Sequence, residues 1–144
     1  MGEITVAMKG YIKTIFSIED SGSMAKTTSL AKLLHIRPAS VTEMIQKLAS
    51  QNILTYKPYR EIKLTKKGKD IAMSLHRRHG LVEKLFADFV GLDIASACEE
   101  ASTLELLLSD RTVNYICAAF NHPVTSPCGK PIFSDERCCG RPYA

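Results

Sequence analysis

The chain has 144 residues, 45% of them hydrophobic, and carries a formal net charge of +4 at pH 7. This length and composition suffice for a compact core without disulfides, and no apolar run approaches the roughly 20 residues of a membrane-spanning helix. The first residues lack the pattern of a secretory signal peptide, so we expect a cytoplasmic protein whose five cysteines are thiols or metal ligands.

Positive charge is concentrated in the first part of the chain. Residues 1–84 contain 15 Lys and Arg against 7 Asp and Glu, whereas residues 85–144 contain 4 against 8. A basic half is typical of a surface that binds phosphate, although a solvated face without a partner has the same composition. The basic part of the chain also contains a predicted helix-turn-helix over residues 27–51, which favours nucleic acid as the partner.

The first helix is predicted over residues 8–18, and a helix-turn-helix follows over residues 27–51. Thr27 or Thr28 is expected to cap the first helix of this motif, and Pro38 suits the first turn of the second. The side chains predicted to face the core are Leu30, Leu33, Leu34, Val41, Met44, Ile45 and Leu48. The outward side chains of the second helix are short and polar, which suits base edges and phosphates. A helical hairpin within a core is the alternative interpretation.

A β-hairpin is predicted next, with strands at residues 53–56 and 61–64 and Pro58 in the turn. A helix-turn-helix followed by such a wing favours binding to double-stranded DNA. The residues that we expect to contact DNA are Thr27, Arg37, Pro38, Ala39, Ser40, Thr42, Glu43 and Lys47 in the helix-turn-helix and Lys57, Tyr59 and Arg60 in the wing.

The second half of the sequence predicts helices with more apolar surface than a single small bundle would bury. Thr65 is expected to cap a long helix that ends near Gly91, and two further helices are predicted over residues 93–108 and after Ser109. The long helix should bury Ile71, Leu75, Val82, Leu85, Phe86 and Phe89. The surplus apolar surface predicts a homodimer, with two recognition helices about 34 Å apart.

The predicted fold is therefore mainly α with an α+β wing. An N-terminal winged helix-turn-helix DNA-binding domain is expected over residues 1–65, and a helical dimerisation and metal-sensing domain over residues 66–122. Proline and glycine recur in residues 123–144, which predicts an irregular, cysteine-containing tail.

Five segments of the chain resemble the diphtheria-toxin-repressor family of metal-dependent transcriptional regulators, which has iron-responsive and manganese-responsive branches. They are YIKTIF at 11–16, RPASVTEMIQKL at 37–48, YKPYREIKLTKKGK at 56–69, RRHGLVEKLFADFVGLD at 77–93 and NHPVTSPCGKPI at 121–132. The resemblance covers most of residues 8–133. It implies a homodimer that represses metal-homeostasis genes by binding operator DNA with metal, in a short form without the C-terminal barrel domain of longer members.

The resemblance also implies metal ligands. His79 and Glu83 match ancillary ligands and share one helix face, and Cys98 and Glu105 lie on one stripe of the next helix. A site of His79, Glu83 and Cys98, with or without Glu105, would bind a divalent transition metal, and its thiolate favours Fe²⁺, Zn²⁺ or Co²⁺ over Mn²⁺.

The principal metal site of the family is degenerate in this sequence, because Gly10, Ser102 and Leu106 occupy ligand positions. One alternative to metal control is that Lys13 pairs with Glu105 and replaces the ion by an ammonium group. A solvent-facing or phosphate-contacting His79 is the alternative to a ligand.

Three cysteines, Cys128, Cys138 and Cys139, are close together near the end of the sequence, each beside glycine or proline. We interpret them as a second metal or iron–sulfur site, completed by Cys98, Cys117 or His122, or else as ordinary thiols of a frayed terminus. Cys117 by itself is interpreted as a small core residue.

The leading hypothesis is a metal-dependent DNA-binding repressor. The alternatives are a cysteine-based redox or iron–sulfur-sensing regulator and, from another class, a winged-helix protein-interaction module. We do not expect an enzyme, because the sequence has no Gly-rich phosphate loop, nucleophile elbow or evident acid pair.

Overall fold

Residues 3–58 and 60–140 are described in a computed structural model, and they form seven α-helices, one π-helix and one two-stranded antiparallel sheet. In chain order the elements are α1 (Val6–Asp20), α2 (Thr27–Leu34), α3 (Pro38–Ser50), β1 (Leu54–Tyr56), β2 (Ile62–Leu64), α4 (Lys66–Lys84), the π-helix (Leu85–Val90), α5 (Ile94–Leu104), α6 (Asp110–Ala119) and α7 (Glu136–Cys139). The predicted mainly helical fold with a two-stranded wing is confirmed. No helix in the described part of the chain is both long and apolar enough to cross a membrane.

The chain divides into two compact units, Met1–Ala72 and Met73–Ala144, which we call unit 1 and unit 2. In unit 1 the first three helices and the sheet surround one apolar core, because each helix has apolar residues at helical spacing. Its buried hydrophobic residues are Met8, Tyr11, Ile12, Ile15, Ala25, Leu30, Val41, Ile45, Leu48, Ile53, Leu54, Ile62, Leu64, Ile71 and Ala72.

The two strands of the wing pair in antiparallel register, with Leu54 opposite Leu64. A hairpin of two strands is marginal in water, so its attachment to the helices decides its stability. The Ile62 N–H donates to the Ala25 carbonyl at 2.8 Å, and the Leu64 N–H donates to Oε1 of Glu19 at 2.8 Å. Strand β2 is therefore held by α1 and by the segment that leads into α2.

The predicted cap of α2 and part of its apolar side are wrong. The helix begins at Thr27, so Thr27 and Thr28 already lie in its first turn. The cap is Lys26, whose N–H donates to Ser29 Oγ at 3.0 Å and whose carbonyl accepts from that hydroxyl at 2.8 Å. Leu33 is 57% exposed, because this helix of eight residues contacts its neighbours along one narrow stripe.

Thr65 caps α4, as predicted, because its Oγ1 accepts the Gly68 N–H at 3.1 Å. The same hydroxyl donates to the Ile53 carbonyl at 3.0 Å. Gly68 is required by close approach, since a Cβ atom there would lie 2.0 Å from the Ile53 carbonyl oxygen. These contacts fix the start of α4 against the chain that leads into β1.

The long helix predicted to end near Gly91 changes type before it ends. Its last turns form the π-helix, and Gly91 terminates it with a left-handed φ of 90°. Phe89, predicted to be buried, is 80% exposed, and Leu85 and Phe86 are only half-buried. The wider hydrogen-bond pattern of a π-helix moves side chains off the face that a 3.6-residue spacing predicts.

Helix α5 begins at its cap Asp93, whose Oδ1 accepts the Ser96 N–H at 3.0 Å. The Ser96 N–H and hydroxyl hold the pKa of Asp93 below its ordinary value. The helix ends before residue 105, whereas the sequence predicted residue 108. After Leu104 the α-helical pattern is lost, because the N–H groups of Leu107 and Leu108 both donate to the Leu104 carbonyl. Arg78 donates to the free carbonyls of Glu105, at 2.7 Å, and Leu108.

Residues 123–144 are predicted to be irregular. Their described part nevertheless contains a turn, in which Thr125 pairs with Pro131, and the short helix α7. Residues 141–144 lie outside the described part. The Ile132 N–H donates to the Val124 carbonyl at 2.9 Å. Ile132 belongs to the core cluster of unit 2 with Leu81, Val113 and Cys117. Asp135 caps α7 by accepting the Arg137 N–H at 2.8 Å. The periodicity of the sequence could not predict this segment, because its order comes from packing on α6.

Candidate nucleic-acid interface and metal centre

The outer face of α3 carries most of the residues predicted to contact DNA. Val41, Ile45 and Leu48 are fully buried, so the opposite stripe faces solvent. The exposed members of the predicted set are Arg37, Pro38, Ala39, Ser40, Glu43 and Lys47. Thr42 is half-buried, and its hydroxyl donates to the carbonyl one turn earlier at 3.1 Å. A stripe this exposed does not fit a helical hairpin buried within a core.

The start of α2, the middle of α3 and the wing border one open groove of about 460 Å³. It is lined by Lys26, Thr27, Thr28, Thr42, Tyr56, Pro58 and Arg60. Lys57 and Arg60 are exposed, whereas Tyr59 lies outside the described residues. Lys63 pairs with Glu61 at 2.6 Å. Three of the predicted contacts, from α2, α3 and the wing, thus share one surface.

Three side chains of unit 2 form a group that we call the His79 cluster: His79, Glu83 and Cys98. Nε2 of His79 lies 3.5 Å from Oε2 of Glu83 and 3.3 Å from Sγ of Cys98. An ion bound tetrahedrally by nitrogen, oxygen and sulfur holds such atoms about 3.3 to 3.6 Å apart. The donor set and its spacing therefore fit a transition metal of the borderline class.

Glu105, predicted as a fourth ligand, lies on the other side of the imidazole. Its Oε2 is 2.7 Å from Nδ1 of His79, whereas the cluster meets at Nε2. The Glu105 carboxylate is fully buried and accepts the Nδ1 proton, which leaves the Nε2 lone pair for an ion. The structure thus gives Glu105 the position of a residue that orients a ligand, because one ring cannot point both nitrogens at one ion.

The loop that contains Cys128 orients Glu83, which is also fully buried. The Cys128 N–H donates to Oε1 of Glu83 at 2.9 Å, and its Sγ lies 3.4 Å from Oε2. Gly80 permits this approach, since a Cβ there would lie 2.8 Å from Cγ1 of Ile132 and 3.3 Å from Cβ of Ser126. Sequence reasoning missed these roles of Cys128 and Gly80, and only the adjacency of Gly80 to His79 hinted at one of them.

The resemblance predicted a degenerate principal metal site at Gly10, Ser102 and Leu106. Gly10 and Leu106 have no ligand atom, and Ser102 is exposed. Among the described residues, two groups of three or more His, Cys, Asp or Glu side chains are close enough to hold an ion, and neither includes these positions. The pairing of Lys13 with Glu105 would join the two units and stays a prediction.

The structure separates the three cysteines that the sequence grouped. Cys128 lies beside Glu83, whereas Cys138 and Cys139 lie with Cys117 and His122, all four ligand atoms being within 4.8 Å of one another. We call this second group the Cys117 cluster. From the sequence, Cys117 and His122 were only alternatives to Cys98 for completing the site, and Cys117 by itself was interpreted as a core residue. Cys117 is indeed buried.

The thiols of the Cys117 cluster differ in acidity. Burial and a hydrogen bond with Cys139 raise the pKa of Cys117 to about 12. Burial also acts to raise the pKa of Cys139, but hydrogen bonds from the Asp135 backbone, Cys117, His122 and Arg77 outweigh it and lower that pKa to about 7. The cluster therefore contains one thiol that ionises readily near neutral pH.

Two family models match nearly the whole chain: the N-terminal DNA binding domain of iron dependent repressors over residues 3–62, and their metal binding and dimerisation domain over residues 65–134. An uncharacterized HTH-type transcriptional regulator of Methanocaldococcus jannaschii is 39% identical over 105 residues, which are 72% of this chain and 84% of the relative. The HTH-type transcriptional regulator MntR of Listeria welshimeri is 34% identical over 123 residues, 83% of this chain and 86% of the relative.

The iron-dependent repressor IdeR of Mycobacterium tuberculosis is 28% identical over 132 residues. These residues are 92% of this chain but 57% of that relative, so the chain spans little more than half its length. Among solved structures, a manganese-dependent transcriptional repressor in complex with manganese has a TM-score of 0.80 and 29% identity, over 89% of this chain and 59% of that chain. A hypothetical protein of Sulfolobus solfataricus has a TM-score of 0.76 and 27% identity, over 88% of this chain and 96% of its own.

Proposed function

This chain belongs to the iron-dependent repressor family, a family of metal-dependent DNA-binding regulators, and we propose that it represses metal-homeostasis genes when the His79 cluster binds a divalent ion. The observation that carries the proposal is the convergence of His79 Nε2, Glu83 Oε2 and Cys98 Sγ, each oriented by the fold of unit 2. The protein would act as a regulator and not as an enzyme, in the cytoplasm, where its free thiols stay reduced.

The exposed face of α3 and the wing support operator DNA as the partner. Arg37 and Lys47 lie at the two ends of the exposed stripe, and Ser40 lies between them as a short hydrogen-bonding side chain. Cationic side chains contact phosphates and guanine edges, whereas short polar side chains fit close to bases in the major groove. Arg60 from the wing borders the same groove as Thr42 of α3.

The donor set of the His79 cluster supports Fe²⁺, Zn²⁺ or Co²⁺ over Mn²⁺, because thiolate and imidazole are softer ligands than manganese prefers. Relatives are named for both iron and manganese. A bound ion would supply positive charge between two helices, α4 with His79 and Glu83, and α5 with Cys98. Cys98 would lose its proton on binding, since the thiolate is the ligand.

Exposed apolar side chains support a homodimer formed through unit 2. The large ones with the highest exposure in unit 2 are Phe89 at 80%, Leu107 at 74%, Tyr115 and Val124 at 65%, Val90 at 54% and Ile94 at 50%. Such surface is costly in water and is typical of an interface. A twofold dimer would place two copies of α3 about one DNA turn, or about 34 Å, apart.

Metal would control DNA binding by shifting a population. An ion changes affinity for DNA only when it binds one arrangement of the recognition helices more tightly than another. The reciprocal consequence is that operator DNA raises the affinity for metal by the same factor.

The second candidate, a cysteine-based redox or iron–sulfur-sensing regulator, is favoured by one observation, the proximity of Cys117 Sγ to Cys139 Sγ at 3.7 Å.

Fluorescence anisotropy with labelled promoter DNA of the gene itself tests the proposal. The protein is titrated with chelator present and then with Fe²⁺, Zn²⁺, Co²⁺ or Mn²⁺. We expect at least one ion to tighten DNA binding by about 5- to 150-fold, the usual range for coupling between two sites. Lys47→Ala should weaken binding evenly across sequences and lower the salt slope by about one. Binding curves that no metal changes would overturn metal control.

A further inference from the structure

The Cys117 cluster brings together parts of unit 2 that are distant in sequence. Cys117 lies in α6, and His122 follows the end of that helix, whereas Cys138 and Cys139 lie on α7. Cys117 Sγ is 3.4 Å from Nδ1 of His122 and 3.7 Å from Sγ of Cys139, and Cys138 Sγ is 3.8 Å from the same His122 nitrogen. One imidazole and three thiols therefore face one point.

These distances match the edges of a zinc tetrahedron. Zinc bonds of about 2.3 Å to sulfur and about 2.0 Å to nitrogen place tetrahedral ligands about 3.5 to 3.8 Å apart. We propose that Cys117, His122, Cys138 and Cys139 form a structural zinc site of the Cys₃His type, distinct from the His79 cluster. Four protein ligands complete the coordination of zinc, as structural sites do.

A buried arginine points to negative charge at this place. Arg77 is 4% exposed, and its Nε and Nη2 have no hydrogen-bond partner in the described part of the chain. A buried guanidinium without a counter-charge is costly. Three thiolates and one neutral imidazole around Zn²⁺ carry a net charge of −1, which this cation neutralises. The guanidinium of Arg77 lies within hydrogen-bond reach of the Cys139 thiol.

The backbone around His122 is bent to present its ring. Asn121 and His122 both have left-handed conformations, with φ of 57° and 54°. Two successive non-glycine residues in this region cost free energy and persist only where the surroundings enforce them. The His122 N–H donates to the Cys117 carbonyl at 2.8 Å, which ends α6 with the imidazole beside the thiol of the same turn.

The site would join α7 to the core of unit 2. Cys138 and Cys139 are half-buried against the core cluster that contains Leu81, Val113 and Ile132. A helix as short as α7 has little stability of its own, so its position depends on what attaches it. The matched part of the family model ends at residue 134, so Cys138 and Cys139 lie beyond it. Two of the four ligands, Cys117 and His122, therefore lie within the matched region, and the other two lie outside it.

Metal analysis of the full chain, purified under reducing conditions without chelator, tests the proposal. In His79→Ala, which has lost the other metal cluster, we expect one tightly held zinc per chain, and the same number when Cys128→Ser is added. Cys139→Ser should bind zinc at least 100-fold more weakly at this site, because it removes one of four ligands. Cys128→Ser is the matched control, since the thiol of Cys128 lies outside the four-residue group.

The proposal is overturned if Cys139→Ser combined with His79→Ala retains zinc, or if the wild-type protein binds no zinc at this site. Absorbance above about 320 nm in anaerobic protein would also overturn it in favour of an iron–sulfur cluster. If Cys139→Ser does not fold, Co²⁺ substitution of His79→Ala tests the site, because this variant has lost the other cluster that contains a thiol. The visible bands of tetrahedral cobalt with thiolate ligands support the site, and octahedral cobalt spectra refute it. The test is independent of DNA binding, so it stands whether or not the proposed repressor function does.

Discussion

The His79 cluster and the Cys117 cluster contain similar ligand types but are supported in different ways. His79 and Glu83 lie on α4, and each is already oriented by a hydrogen bond, to Glu105 at 2.7 Å and from Cys128 at 2.9 Å. The Cys117 cluster takes two of its four ligands from α7, a helix of four residues. The fold of unit 2 therefore positions the ligands of the His79 cluster by itself, whereas an ion at the Cys117 cluster would help to hold α7 in place.

This difference separates a site suited to sensing from one suited to structure. A preformed site with three ligands can gain and lose an ion while its helices stay folded, and it leaves a coordination position open. A site with four ligands is closed, and its binding free energy becomes folding free energy of the segment that it attaches. Four substitutions test this difference between the two clusters.

The largest effect is expected from His79→Ala. Removing the imidazole leaves two ligands and should abolish stoichiometric binding of Fe²⁺, Zn²⁺ or Co²⁺ at the His79 cluster. Isothermal titration calorimetry and metal analysis would measure the loss, with the zinc of the Cys117 cluster as the internal control. Unchanged metal content and affinity at the first site would refute the assignment of His79 as a ligand.

Gly80→Ala should lower both the stability of the protein and the metal affinity of the His79 cluster. The added methyl would meet Cγ1 of Ile132 at 2.8 Å, so the loop must move away from α4. Such overpacking costs about 1 to 3 kcal/mol. Urea denaturation would measure the lost stability, and metal titration the loss of affinity as the Cys128 N–H moves from Glu83. Gly10→Ala is the matched control, because a Cβ at that helical glycine meets nothing within 4 Å, and equal stability of the two variants would contradict the prediction.

Glu105→Gln should lower the metal affinity of the His79 cluster and leave that of the Cys117 cluster unchanged. The amide keeps the size and one acceptor but removes the charge that makes the imidazole a stronger ligand, and such changes cost about 10- to 100-fold in metal affinity. Competition with a chelator of known affinity would measure this. Glu100→Gln is the matched control, because Glu100 is an exposed glutamate of α5, five residues before Glu105. A loss of zinc from the Cys117 cluster in Glu105→Gln would show that the two sites are not independent.

The smallest effect is expected from Asp93→Ala, which removes the cap of the helix that carries Cys98. Since hydrogen bonds from Ser96 hold the pKa of Asp93 below its ordinary value of 3.8, its charge stabilises the fold at pH above that value. The stabilisation is lost as the pH falls through the lowered pKa. The difference in unfolding free energy between wild type and variant should therefore narrow below pH 3.8. A difference independent of pH would exclude a role for the charge.

Local patterns in the sequence predicted much of unit 1. Val41, Ile45 and Leu48 identified the buried stripe of α3, and Thr65 identified the start of α4, because helical spacing and capping depend only on neighbouring residues. The predictions were wrong where the chain departs from regular α-helical hydrogen bonding. Phe89 is exposed because the π-helix alters the spacing. Helix α5 is shorter than predicted because the N–H groups of Leu107 and Leu108 both donate to the Leu104 carbonyl.

Periodicity, charge and matching segments were enough to predict the fold class, the family and the types of ligand available. Which ligands lie together could be seen only once the chain was folded. The tertiary structure separated Cys128 from Cys138 and Cys139, and it placed Glu105 at Nδ1 of His79. Cys117 and Cys139 lie 22 residues apart in sequence yet 3.7 Å apart in space. The physical reason is that a metal site needs atoms within a few ångströms, whereas local sequence rules reach only along one helix or turn.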